Sequence, residues 1–183
     1  LEAESSYQKL LEQNQETILT KVNDMYKATK RNIIHLQKKY VHEIVQLALQ
    51  RVEKQYPDIA IAVDLKKDLV IFADCDHFSE ALYNVMVNAI EAAFEKKVVP
   101  DIRVKTYTNR LYTVIEITDN GNGIDKNNLK KIFRPYVSSK HTKNNFGVGL
   151  TYVRTIVQEH NGRIHVHSKV NVGTTFSILL SKS

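Results

Sequence analysis

One cysteine in 183 residues, Cys75, excludes a disulfide framework within the chain and a cysteine-based zinc site. It fits a reducing compartment, with Cys75 as an ordinary buried side chain. No apolar run approaches the ~20 residues of a membrane span, and no secretory signal opens the chain. The expectation is a cytoplasmic portion without membrane contact. Acidic residues are the scarcer charge, 20 against 26 basic ones, for a net charge of +6. The lysines are scattered, so no nucleic-acid surface is indicated; the positive balance suits phosphate-bearing ligands or an acidic partner. A chain of this length forms one large domain, or one domain and an appendage, and buries roughly 70% of its unfolded surface without staples.

Glycine and proline are absent from residues 1–56. Leu11, Ile18 and Met25 recur seven apart there, and Val22, Thr29 and Leu36 repeat that spacing offset by four. This heptad-like stripe predicts a long helix whose seam needs a partner helix, with Ser5 or Ser6 as its cap. A second helical segment, about 40–56, carries Val41, Ile44, Val45, Leu47, Ala48 and Val52 and stops near Pro57. The texture then changes. "IAIAV" (59–63) and "LVIFA" (69–73) are β-branched runs separated by a charged turn. Residues 76–97 form a strong helix, and 101–107 and 111–118 alternate as half-buried strands joined near Asn109. Residues 149–160 read as a helix, and "GRIHVHS" and "TTFSILL" as strands joined by a turn at Asn171–Gly173. The fold class is α+β, a mixed layer with an antiparallel-leaning sheet. The expected organisation is a helix over 1–37, a linker helix over 38–56 and a globular domain over 57–183.

Three motifs carry chemistry. Asn84 and Asn88, in "NVMVNA", are four apart on one helix face. Such a pair either bonds the backbone of a neighbouring loop or supplies neutral oxygen donors of the kind Mg²⁺ prefers. "ITDNGNGI" (117–124) places Asp119 ahead of Gly121 and Gly123, which is either turn chemistry or a loop that lets backbone approach a ligand. "NFGVGL" sets Gly147 and Gly149 at the start of a helix, where backbone N–H groups can meet phosphate. Between the last two lies a lysine-rich segment of about 24 residues, long enough to be a lid or binding loop. It includes Lys140, His141 and Lys143, within reach of phosphates.

In this order the motifs resemble the catalytic, ATP-binding domain of bacterial sensor histidine kinases, within the larger GHKL group that includes DNA gyrase. "NVMVNAIEAA" resembles the N-box and "DNGNGI" the G1 box. "IFRPYVSSK" resembles the F-box, with Phe133 at its phenylalanine. "GVGLTYVRTIVQEHNGRI" resembles the G2 box and its helix, and "GTTFSILL" the closing strand. The resemblance covers about 59–180 and implies a two-layer α/β sandwich of the Bergerat type, behind a long N-terminal helix. It implies that Asp119 accepts a hydrogen bond from the adenine N6 amino group, worth ~1.5–3 kcal/mol. Guanine offers a carbonyl there and is rejected. Asn88 with Asn84 would hold Mg²⁺ against the triphosphate. Gly121, Gly123, Gly147 and Gly149, with Leu150 beside them, would let backbone and loop close over the nucleotide. Thr174 or Thr175 either contacts the adenine side through a hydroxyl and water or packs as an ordinary strand residue. Tyr136 and Phe146 depart from the residues common at their positions.

Asn84 also separates subclasses. Gyrase-like ATPases carry a glutamate at this position to activate water; an asparagine cannot take a proton at neutral pH. Glu80, one turn earlier, reads as a solvated surface residue. The expectation is therefore a kinase core that binds ATP and Mg²⁺ and transfers the γ-phosphoryl to a histidine. The relay would pass to an aspartate of a response-regulator receiver domain, in a protein that is a homodimer at full length. The rivals are an ATP-hydrolysing clamp, a serine kinase of the anti-sigma-factor type and a degenerate kinase serving as scaffold. His42, in "VHEIVQL", mimics a phosphoacceptor, but only 41 residues separate it from Asn84. The simpler expectation makes 1–37 the second helix of a hairpin whose first helix, with the acceptor, lies outside this chain. His165 and His167 share a strand face as a solvated pair. His160 stands at a helix C-terminus, where a cation is favoured.

Overall fold

The computed structural model describes residues 34–134 and 149–182. Strand β1 (Gln37–Tyr40) runs directly into helix α1 (Val41–Gln55). Val41, Ile44, Val45, Ala48 and Val52 recur at helical spacing along α1, and all five are buried. Burial of each of the larger ones contributes roughly 1.5–3 kcal/mol. No side chain caps this helix; the Val41 N–H donates instead to the Leu69 carbonyl at 2.9 Å. Strands β2 (Ile61–Asp64) and β3 (Val70–Ala73) follow.

Helix α2 (Cys75–Glu95) is the centre of the molecule. Asp74 caps it by accepting the His77 N–H, and Phe78, Leu82, Val85, Met86 and Ile90 form its buried face. It ends in a Schellman turn: the Val98 N–H donates to the Ala93 carbonyl, and Lys97 takes φ 60. Strands β4 (Ile102–Thr108) and β5 (Tyr112–Thr118) form a hairpin, its turn closed by Asn109 Oδ1 accepting from the Leu111 and Tyr112 N–H groups. Short α3 (Lys126–Leu129) is capped by Asp125. Helix α4 (Gly149–Glu159), β6 (Arg163–Lys169) and β7 (Gly173–Ser181) complete the chain.

Five strands form one sheet in the order β2-β4-β5-β7-β6; only the β2–β4 pair is parallel. Ile102, Val104, Ile115, Ile117, Phe176 and Ile178 line its inner face and share one core with α1, α2 and α4. On the outer face Arg103, Lys105, His165 and His167 stand exposed, as expected of a sheet covered on one side only. The fold is thus the expected two-layer α+β sandwich.

The structure differs from the sequence reading in several places. The helix expected over 1–37 lies outside the described residues up to 33. Residues 37–40, expected in helix, are a strand, because the edge of β3 pairs with them (Lys39 opposite Ile71). Helix α1 contributes its apolar face to the same core as α2. Cys75, expected in the interior, is half-buried.

Candidate functional site

Residues four apart advance about 400° around a helix, so each step of four drifts about 40° along one face. Glu80, Asn84, Asn88, Ala92 and Lys96 make such a stripe along α2 and its C-cap. The Asn84 Nδ2 donates to the Glu80 carbonyl and the Asn88 Nδ2 to the Asn84 carbonyl, each at 2.8 Å. Those bonds orient both amides and turn their Oδ1 oxygens away from the helix backbone. Both side chains face the start of α4: a Cβ on Gly149 would lie 3.4 Å from Asn84 Oδ1 and 3.9 Å from Asn88 Nδ2.

One turn on, Ala92 meets the loop that leaves β5. A Cβ on Gly121 would sit 2.6 Å from the Ala92 Cβ, so only glycine lets the loop lie on α2 there. Asp119, 7% exposed, ends the ladder with Thr174: its N–H donates to the Thr174 carbonyl at 2.9 Å. Its Oδ1 accepts from the Gly121 N–H at 2.8 Å and the Thr174 N–H at 3.2 Å. Asn120 is tied on both sides of its amide, accepting from the Asp101 N–H and donating to the Val99 carbonyl. Lys96 Nζ donates to the Asn120 carbonyl at 2.8 Å. Gly123, at φ 68, lies against the Lys169 carbonyl, 2.2 Å from where a Cβ would be. Gly173 makes the closest approach: at φ 149, its Cβ would stand 1.9 Å from the Asp119 carbonyl oxygen.

Leu150 and Phe133 are half-buried against the core, and the Phe133 carbonyl accepts from Thr151 Oγ1 at 3.3 Å. Thr174 is buried; its hydroxyl bonds Ser168 Oγ at 2.9 Å, while Thr175 bonds Thr118 across the sheet. His42 lies in the first turn of α1 with its ring against Tyr40. Lys140, His141, Lys143 and Gly147, with Tyr136 and Phe146, lie outside the described residues. Glu80, expected as simply solvated, is half-buried and accepts the Tyr152 O–H from α4 at 3.4 Å. Asn120, Gly173 and Tyr152 were not singled out by sequence reasoning. The second Gly-containing turn, "NVG", was a signal, but nothing local ties it to Asp119.

A buried polar knot supports the other end of α4. His160 is 5% exposed; its Nδ1–H donates to the Ile156 carbonyl at 2.7 Å, and its Nε2 accepts the Asp74 N–H at 2.9 Å. A backbone N–H can only donate, so the imidazole is neutral. Burial lowers its pKa, and this desolvation outweighs the helix-end field that favoured a cation in the sequence reading. Burial acts to raise the Asp74 pKa, but the His35 and His77 N–H groups that donate to it, with the His77 ring 2.9 Å away, hold it at about 2.

A sheet solvated on one face and packed on helices, with Gly121 and Gly149 approaching one amide-bearing helix face, defines a two-layer α+β sandwich with a candidate ligand site. The chain belongs to the histidine kinase-, DNA gyrase B- and HSP90-like ATPase family, which it matches over residues 73–183. It is 42% identical over 117 residues to the sensor protein RprX of Bacteroides fragilis (strain YCH46), across 61% of this chain and 22% of that protein. To sporulation kinase B of Bacillus subtilis (strain 168) it is 34% identical over 125 residues, across 68% of this chain and 28% of that protein. The chain therefore spans about a quarter of the length of these relatives. The solved structure of the mycobacterial sensor histidine kinase MprB shares the fold, with a TM-score of 0.71 at 23% identity over 81% of this chain and 98% of that one. No helix among the described residues is long and apolar enough to cross a membrane.

Proposed function

We propose that this chain is the ATP-binding kinase core of a two-component sensor histidine kinase, transferring the γ-phosphoryl of ATP to a histidine for relay to a receiver-domain aspartate. The observation that carries the reading is the α2 stripe, which puts two neutral amides beside the first turn of α4 and the Asp119 loop one turn further on. Asp119, held by two backbone N–H groups, would accept a hydrogen bond from the adenine amino group at the loop end. The backbone N–H groups at the start of α4, beside Gly149, suit the triphosphate.

The donor chemistry fits Mg²⁺ bound together with the triphosphate. Asn84 and Asn88 offer neutral oxygens, and among the described residues no cluster of three His, Cys, Asp or Glu side chains is placed to hold a metal. The ion would neutralise phosphate charge. The chain's own residues bind and orient: Asp119 selects the base, and the amides and the α4 backbone align the γ-phosphoryl with an incoming imidazole. No carboxylate occupies position 84 to deprotonate water, which favours transfer over hydrolysis. The dimeric full-length protein, its cytoplasmic placement for this portion and the receiver-domain partner belong to the same reading.

The test is incubation with γ-labelled ATP and Mg²⁺, following nucleotide binding beside released phosphate. The kinase-core reading expects tight ATP binding with slow phosphate release. Fast release at stoichiometric binding would instead mean an ATP-hydrolysing clamp.

A further inference from the structure

Glu80 serves α2 twice. Its backbone carbonyl accepts the Asn84 amide at 2.8 Å and thereby fixes where Asn84 Oδ1 looks. Its carboxylate accepts the Tyr152 O–H, from the first turn of the helix that begins at Gly149. Gly149 in turn faces Asn84 Oδ1. These three contacts close a circuit: α4 start, Tyr152, Glu80, Asn84 and back to the α4 start. We propose that Tyr152 and Glu80 are a positioning pair that sets the gap between the α4 N-terminus and the Asn84 amide, and hence the affinity for the triphosphate, without touching nucleotide.

The inference rests on the ATP-binding reading above and deepens it. Apolar packing of Val153, Ile156 and Val157 holds the body of α4, beyond its start. Gly149 carries no side chain to meet α2, and an ideal Cβ there would still find ordinary van der Waals space at 3.4 Å. At the start of α4 the Tyr152–Glu80 bond adds a directional contact to α2. Tyr152 is half-buried against the core, and its hydroxyl ends at Glu80. Burial, with the Glu80 charge and hydrogen bond, raises the phenol pKa well above its ordinary value, so the hydroxyl remains a donor at every working pH.

The base end of the site is held by other bonds. There Asp119 Oδ1 accepts from the Gly121 and Thr174 N–H groups. Loss of the bond therefore affects ligands with phosphates and spares those without.

The experiment is isothermal titration of the chain with Mg·ATP and with adenosine, beside thermal melting. Tyr152→Phe keeps the ring and removes the donor. It is expected to weaken ATP by about 3- to 10-fold, the loss of one hydrogen bond, with adenosine unchanged and the melting temperature nearly so. Glu80→Ala is expected to reproduce that split, and Glu80→Gln, which retains an acceptor oxygen, to lose less than Glu80→Ala. An unchanged ATP affinity in Tyr152→Phe, or equal losses of ATP and adenosine, overturns the positioning pair while leaving the ATP-binding reading intact. A wild-type chain that binds no ATP overturns both.

Discussion

The two glycine motifs meet the same helix by different means. The loop after β5 is held by its own backbone and neighbouring strands: Asp119 takes two N–H groups, Asn120 bridges to residues 99 and 101, and Gly121 and Gly173 admit contacts that no side chain allows. The start of α4 reaches α2 through side chains, with Asn84 and Asn88 facing Gly149 and Tyr152 reaching Glu80. One end of the candidate site is built into the sheet, and the other is set by side chains between two helices. On the proposed reading the first would hold the base and the second the phosphates.

The largest effect is expected where the rigid end is most crowded. Gly173→Ala would drive a Cβ against the Asp119 carbonyl at a φ that side chains avoid. It should destabilise by roughly 2–4 kcal/mol, seen in urea unfolding, and release Asp119. Next, Asp119→Asn keeps an oxygen for the Gly121 and Thr174 N–H groups but removes the charged acceptor. ATP affinity should fall by about 10- to 100-fold with little change in melting temperature. If both variants proved neutral, the rigidity assigned to this loop would be mistaken.

A smaller effect concerns the far end of α4. The His160 pKa is lowered by burial, so as pH falls from about 7.5 to 5.5 the unfolded chain gains its proton before the folded one does. Stability is therefore full above the unfolded pKa near 6.5 and declines as pH falls below it. His160→Gln should flatten that part of the melting-temperature profile. Asp74 acts lower: its stabilisation is present above its ordinary 3.8 and disappears as pH falls toward 2. The smallest effect is at the end of α2, where Lys97 occupies the left-handed C′ position that glycine prefers. Lys97→Gly should stabilise by up to about 1 kcal/mol without altering nucleotide affinity.

Local pattern carried much of this molecule. The spacing of Asn84 and Asn88 put both amides on one face, and the alternation over 101–118 delivered β4 and β5 within a residue or so. What stayed hidden was long-range. Nothing near residues 37–40 signals that β3 will pair with them, and nothing in "NVG" says that Gly173 will lie on Asp119. His160 read as a cap cation because its burial depends on Phe78 and Asp74, more than eighty residues earlier. Glu80 read as surface because its partner Tyr152 comes from another helix.

The measurement that bears most directly on the account is a titration of the chain with ATP, GTP and adenosine, for wild type beside Asn88→Ala. The account predicts ATP over GTP in wild type, and in Asn88→Ala a loss of ATP affinity with adenosine unaffected. Equal affinity for GTP would contradict Asp119 as the selector of the base, and ATP binding indifferent to Asn88 would contradict the α2 stripe as the organiser of the site.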